Sequence, residues 1–187
     1  MSPKVKITKE DIINAALNLV RKSGVKSLNA RAIAAFLKSS TQPIFSNFAT
    51  MDELQSAVIL AAYGKYLDFL NKESESNKYP KYKAFGMAYI RFAKEEKELF
   101  KLLFMRDRKG EGFVATFDFE TSVEMIMSAN GISKEKAERI HFETWMCVHG
   151  IATIIATSFL ELDWDSISDM LTDVYMGIRA KHISEEK

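Results

Sequence analysis

The chain has 187 residues, 26 Lys/Arg against 25 Asp/Glu, and 47% hydrophobic residues, enough core for one domain or for a small domain joined to a larger one. Its single cysteine, Cys147, excludes an internal disulfide and a Cys-rich zinc module. No apolar run reaches the roughly 18 residues of a membrane span, and the opening MSPKVKITKED lacks the apolar stretch of a secretory signal, so a cytoplasmic protein with no membrane partner is expected.

A formal net charge of +1 hides an uneven distribution. Residues 1–50 hold Lys4, Lys6, Lys9, Arg21, Lys22, Lys26, Arg31 and Lys38 against only Glu10 and Asp11, whereas the remainder carries 18 basic and 23 acidic residues. A basic front on a faintly acidic body suits a head that meets a polyanion, because phosphate contacts supply most sequence-independent affinity for DNA. A solvated charged surface would have the same composition, so the decision falls to spacing.

Taken in order, Thr8 and Asp11 predict a capping box, followed by a helix with Ile13, Ala16, Leu17 and Val20 on one face and Gly24 as its stop. Residues 28–54, LNARAIAAFLKSSTQPIFSNFATMDEL, predict two short helices joined by a tight turn with a third behind them. Asn29 is expected to cap the first, which turns Ile33, Ala34 and Leu37 inward, and Ser40 to cap the second, beginning at Thr41. Pro43 falls in the first turn, where its missing N–H costs little, leaving Thr41 and Gln42 at the tip. This is the layout of a helix-turn-helix, placed at about residues 29–48.

Thr50 and Glu53 predict a second capping box opening a helix from Met51 towards Leu70, ended by the turn-rich stretch 71–82, NKESESNKYPKY. Residues 85–105 predict two helices with a break near Lys94 to Lys97, then a loop over Arg106 to Gly112 and a helix from Phe113 to Ala129 closed by Asn130 and Gly131. Ser133 is expected to cap a long helix through Leu160, and Asp163 or Asp165 the last one, ending near Ile183. The fold class is all-α, about nine helices with no strand alternation, divided into a DNA-binding head at 6–66 and a C-terminal domain at 67–187.

Gly24, the Arg31-x-Ile33-Ala34 run, the Ser cap, the pair Phe45 and Phe48, and Asp52 to Leu54 together resemble the tetracycline-repressor (TetR) family of bacterial transcriptional regulators over roughly residues 8–60. The resemblance implies an all-helical homodimer with two DNA heads and larger bodies that sense small molecules. It implies DNA contacts from Asn29, Arg31, Lys38, Ser40, Thr41, Gln42, Pro43, Phe45, Ser46 and Asn47. Gln can pair with adenine and a Thr methyl can meet a thymine methyl. Four positions depart from the family pattern: Lys38 stands where the turn commonly has Gly, Phe45 lacks a Tyr hydroxyl that often meets the phosphate backbone, Asn47 replaces a common His, and Met51 replaces a usual Lys. Arg31, Lys38 and the basic N-terminus (Lys4, Lys6) would then hold the backbone.

A shorter resemblance, Trp145-x-x-x-His149-Gly150, matches the C-terminal domain of one branch of the same family. It implies a ligand-responsive domain without identifying the ligand; the Met and aromatic stripe of the body suggests an apolar or aromatic effector, with Phe85, Tyr89, Phe92, Phe104, Phe117, Met125, Trp145 and His149 as candidate contacts. The same aromatic stripe also suits ordinary core. Pairing of the last two helices with their copies would use Ile154, Phe159, Met170, Val174 and Ile178. No nucleophile with a base, phosphate-cradling glycine loop or metal-ligand spacing is visible, so no enzyme, no metal and no cofactor are expected. The alternative reading is a helical dimeric protein-interaction module with weak or lost DNA binding.

Overall fold

A computed structural model describes residues 7–107 and 117–184, without the side chains of residues 117, 118 and 184. Among the described residues there are nine α-helices, one 3₁₀ turn and no strand: α1 (Lys9–Ser23), the turn Val25–Ser27, α2 (Ala30–Phe36), α3 (Gln42–Asn47), α4 (Met51–Glu75), α5 (Lys81–Glu95), α6 (Lys97–Phe104), α7 (Phe117–Asn130), α8 (Lys134–Ala156) and α9 (Trp164–Ser184). The chain divides into two units, Met1–Tyr66 with Glu96–Arg106, and Leu67–Glu95 with Asp107–Lys187.

In the first unit the local signals are met closely. The Thr8 hydroxyl accepts from the Asp11 N–H while the Asp11 carboxylate accepts from the Thr8 N–H, the reciprocal box that starts α1. Ile12, Ala16, Leu17 and Val20 of α1 are buried, together with Ile33 and Ala34 of α2, Ile44 of α3 and Phe48. Helix α6 belongs with them, although the sequence placed it in the larger domain: it packs on α1, and Arg21 forms a two-pronged pair with Glu96 at 2.7 and 2.8 Å. Gly24, between α1 and the 3₁₀ turn, has φ 73° and ψ 176°, and a Cβ there would lie 2.9 Å from a carboxylate oxygen of Glu98. Only glycine adopts that conformation without strain.

The second unit is built on α5, α8 and α9. Helix α5 runs parallel to α8, as Tyr82 meets His141 and Tyr89 meets His149, and antiparallel to α9, as Lys83 meets Thr172 and Arg91 meets Trp164. Gly86 permits the close approach, since a Cβ there would fall 2.9 Å from Leu171 of α9 and 3.6 Å from Val148 of α8. Helix α7 lays Val123 and Ile126 against Ala137 and Ile140 of α8. The end of α4 belongs here too: Phe69 packs edge-on against Phe92, and the buried carboxylate of Glu73 pairs with Arg91 at 2.8 Å. Arg91 and Lys94 both lie over the Trp164 ring, an arrangement that holds α5 to the start of α9.

Four boundaries differ from the sequence reading. The stretch 71–82 is helical at both ends, leaving only residues 76–80 between α4 and α5; burial of Glu73 in its pair with Arg91 adds a turn that composition alone disfavours. Helix α8 stops at Ala156, because Ser158 takes a left-handed φ of 55°. Ser40 does not cap α3; Thr41 holds the cap position and makes no side-chain cap bond. In the second capping box Thr50 accepts from the Glu53 N–H as expected, but the Glu53 carboxylate reaches back to the N–H of Ala49 instead of Thr50.

Two turn positions make opposite predictions. Gly24→Ala forces an alanine into a conformation reserved for glycine and should lower unfolding free energy by about 1–3 kcal/mol. Lys38 follows α2 with φ 52°; Lys38→Gly relieves a left-handed penalty of about 1–2 kcal/mol, partly offset by about 0.5–1 kcal/mol of glycine entropy, and should raise the urea midpoint. A lower midpoint for Lys38→Gly would contradict the backbone described.

Candidate nucleic-acid interface

Helix α3 presents two faces. Ile44 and Phe48 are its buried anchors, which turns Gln42 and Ser46 outward, with Phe45 51% exposed on the flank. The predicted contact residues then separate by what their side chains already do. Asn29 caps α2, its carbonyl accepting from the Ala32 N–H at 2.9 Å, and the Asn47 amide donates to the Pro43 carbonyl at 2.8 Å and to that of Ile7 at 3.5 Å. The Ser46 hydroxyl donates to the Gln42 carbonyl at 2.9 Å. These three are committed to the scaffold.

Arg31, Lys38, Ser40, Thr41 and Gln42 are not: among the described residues their side chains make no hydrogen bond or ion pair. Pro43 sits in the first turn of α3 as expected. Of the eight basic residues in the first fifty, Lys4 and Lys6 lie outside the described residues. Lys9 pairs with Glu53 and Arg21 with Glu96, which leaves Lys22, Lys26, Arg31 and Lys38 as cations without an ion pair among the described residues. The excess charge of the front end is therefore partly neutralised, and Arg31 and Lys38 are the two of these four cations that lie between α1 and α3 on α2 and the turn after it.

The candidate ligand residues separate as well. Tyr89 and His149 are joined by a 2.8 Å bond between the hydroxyl and Nδ1, and Trp145 stacks on His149 with ring centres 5.0 Å apart. With a neutral imidazole the hydroxyl donates and Nδ1 accepts, fixing the proton on Nε2. Phe92 is fully buried against Phe69, while Phe85 and Met125 are half-buried in the same unit. Phe104 belongs to the first unit, packed on Tyr66 and Phe100. The Phe117 side chain lies outside the described residues.

Sequence reasoning missed a second tyrosine–histidine pair on the same two helices: Tyr82 and His141, 3.1 Å apart. Burial pushes the Tyr82 hydroxyl well above its ordinary value. Both pairs recur two turns apart along α5 and α8, a spacing readable only once the helices are known to run parallel.

Among the candidate interface residues, Phe159 is 76% exposed and Met170 exposed, Ile154 and Val174 are half-buried, and Ile178 packs on the Val123, Ile126, Ala137, Ile140 cluster. Met146, Leu160 and Met176 were missed and are exposed too. No helix among the described residues is long and apolar enough to cross a membrane.

No family model and no curated protein matches the chain. Solved structures do. A TetR-like transcriptional regulator from Rhodococcus sp. RHA1 superposes with a TM-score of 0.68 at 17% identity, over 94% of this chain and 97% of that one. A TetR-family member from Streptomyces coelicolor A3 gives 0.64 at 17% identity, over 89% and 96%. The multidrug-binding protein EbrR, complexed with imidazole, gives 0.62 at 18% identity, over 89% and 88%. The all-helical fold is thus one shared with TetR-like regulators, and none of the three is described as an enzyme.

Burial holds the His149 imidazole below its ordinary value of 6.5. The unfolded chain consequently takes up the proton first, so this contribution to stability is complete above the ordinary histidine range and is lost as pH falls through that range and on through the folded-state value. Replacing His149 by Gln should flatten the fall in unfolding free energy between about pH 7 and about pH 5; an unchanged slope would show that the ring titrates as freely folded as unfolded.

Proposed function

We propose that this chain is a DNA-binding transcriptional regulator, a repressor that binds a palindromic operator as a homodimer and is released by a small apolar or aromatic ligand. The observation that carries the reading is the outward edge of α3, where the side chains of Thr41 and Gln42 have no partner among the described residues, and where Arg31 and Lys38, on α2 and in the turn that follows it, likewise have no ion pair among those residues. Uncommitted hydrogen-bonding groups at a helix tip flanked by cations match the division of labour in DNA reading, in which base edges specify and phosphates position. The division at Tyr66 supports a head and a larger C-terminal domain.

The dimer would use the exposed apolar residues of α8 and α9, with Phe159 and Met170 foremost. A two-fold axis would set the two heads about 34–36 Å apart, one turn of DNA, or a multiple of it. A ligand among Tyr89, Trp145 and His149 would act on α5, whose ring contact with Phe69 and ion pair with Glu73 reach the end of α4, the helix whose other end lies in the first unit. Release follows if the ligand prefers the state that does not fit the operator.

Fluorescence anisotropy on labelled duplexes tests this. Affinity should fall steeply with salt. Gln42→Ala should relax preference at one base position, whereas Arg31→Ala should weaken all sequences alike and reduce the salt slope by about one for each head. A protein that ignores every duplex at low salt would favour the interaction-module reading. Light scattering should find a dimer at micromolar concentration, and a monomer alone would remove the operator geometry.

A further inference from the structure

One side chain of the second unit is left over from the scaffold. The Thr153 hydroxyl on α8 is shut off from solvent and has no hydrogen-bond partner among the described residues. Leaving such a group unmet is costly, and exceptions in folded proteins call for a reason. Thr153 lies four residues beyond His149, which lies four beyond Trp145, so the three share one row of the helix about 6 Å apart at each step. Phe142 extends the row: its ring stacks on Trp145 at 6.3 Å and Trp145 on His149 at 5.0 Å. The result is a strip of three stacked aromatic rings that ends in a lone hydroxyl.

The facing helix carries a small side chain at that end. The parallel register of α5 on α8, Tyr82 with His141 and Tyr89 with His149, carries forward to bring α5 opposite Thr153 near Ala93. Ala93 is fully buried and has the smallest side chain that keeps a Cβ. The imidazole beside the strip stays neutral near pH 7, because burial lowers its pKa. Nothing in the row offers a charge to an ion.

We propose that the strip Phe142, Trp145, His149 and Thr153 binds an uncharged aromatic molecule bearing a hydroxyl or carbonyl oxygen, its ring against the aromatic row and its oxygen bonded to the Thr153 hydroxyl. The proposal rests on the ligand-responsive reading above and names the chemistry of its effector. The hydroxyl orients the guest and separates it from hydrocarbons of the same shape. A site built to bond an oxygen discriminates against the analogue lacking it more sharply than an apolar wall discriminates by size.

Isothermal titration of the whole chain, without DNA, with matched probes tests it: phenol against toluene and 2-naphthol against 2-methylnaphthalene. In at least one pair the hydroxylated probe should bind about tenfold tighter, the effect of one net hydrogen bond, and Thr153→Val should abolish that preference. The same substitution should leave the unliganded chain at least as stable in urea, since it removes an unmet polar group without changing shape. Absence of binding by any probe, equal binding within both pairs, a preference that survives Thr153→Val, or a clear loss of stability in that variant would each overturn the assignment. Because no DNA is present, these outcomes leave the operator reading untouched, and failure to bind duplexes leaves this one untouched.

Discussion

A helix of six residues has no stability of its own, since nucleation absorbs more than so few hydrogen bonds return. The outward edge of α3 therefore exists only because Ile44 and Phe48 are buried within the first unit, beside Ile12, Leu17 and Ile33. That burial fixes the rotation of α3 about its axis and, with it, which residues face out. Asn47 reinforces the placement from outside by tying α3 to the segment before α1 through the Ile7 carbonyl. Gln42 and Ser46 are exposed as a consequence of two apolar anchors, not of any local preference of their own.

Much of this was legible from local signals. Capping at Thr8, Asn29, Ser133 and Asp163 each follows from one side chain and one nearby N–H, and such short-range bonds do not depend on the rest of the fold. Pro43 and Gly24 were legible for the same reason, being constraints on a single backbone position. The resemblance added the likeness to a regulator head, and the fold agrees with it.

What escaped was non-local. The α4 extension to Glu75 depends on Arg91, eighteen residues on, meeting Glu73. The grouping of α6 with the first unit depends on Arg21 finding Glu96. That same pair, with Lys9 and Glu53, removes two cations that a count of charges would assign to DNA. The tyrosine–histidine rungs needed the direction of α8 relative to α5. In the candidate site, composition showed which groups could touch a partner, and only the hydrogen bonds separated the occupied ones from those still available.

Cys147 lies exposed on α8, near Met146 and the open position at Gly150, and it is the sole thiol in the chain. A maleimide spin or fluorescent label would therefore attach at one known point without removing any native cysteine. In an assembly of two copies such labels would form a single pair, and their separation would act as a molecular ruler across whatever face α8 shares.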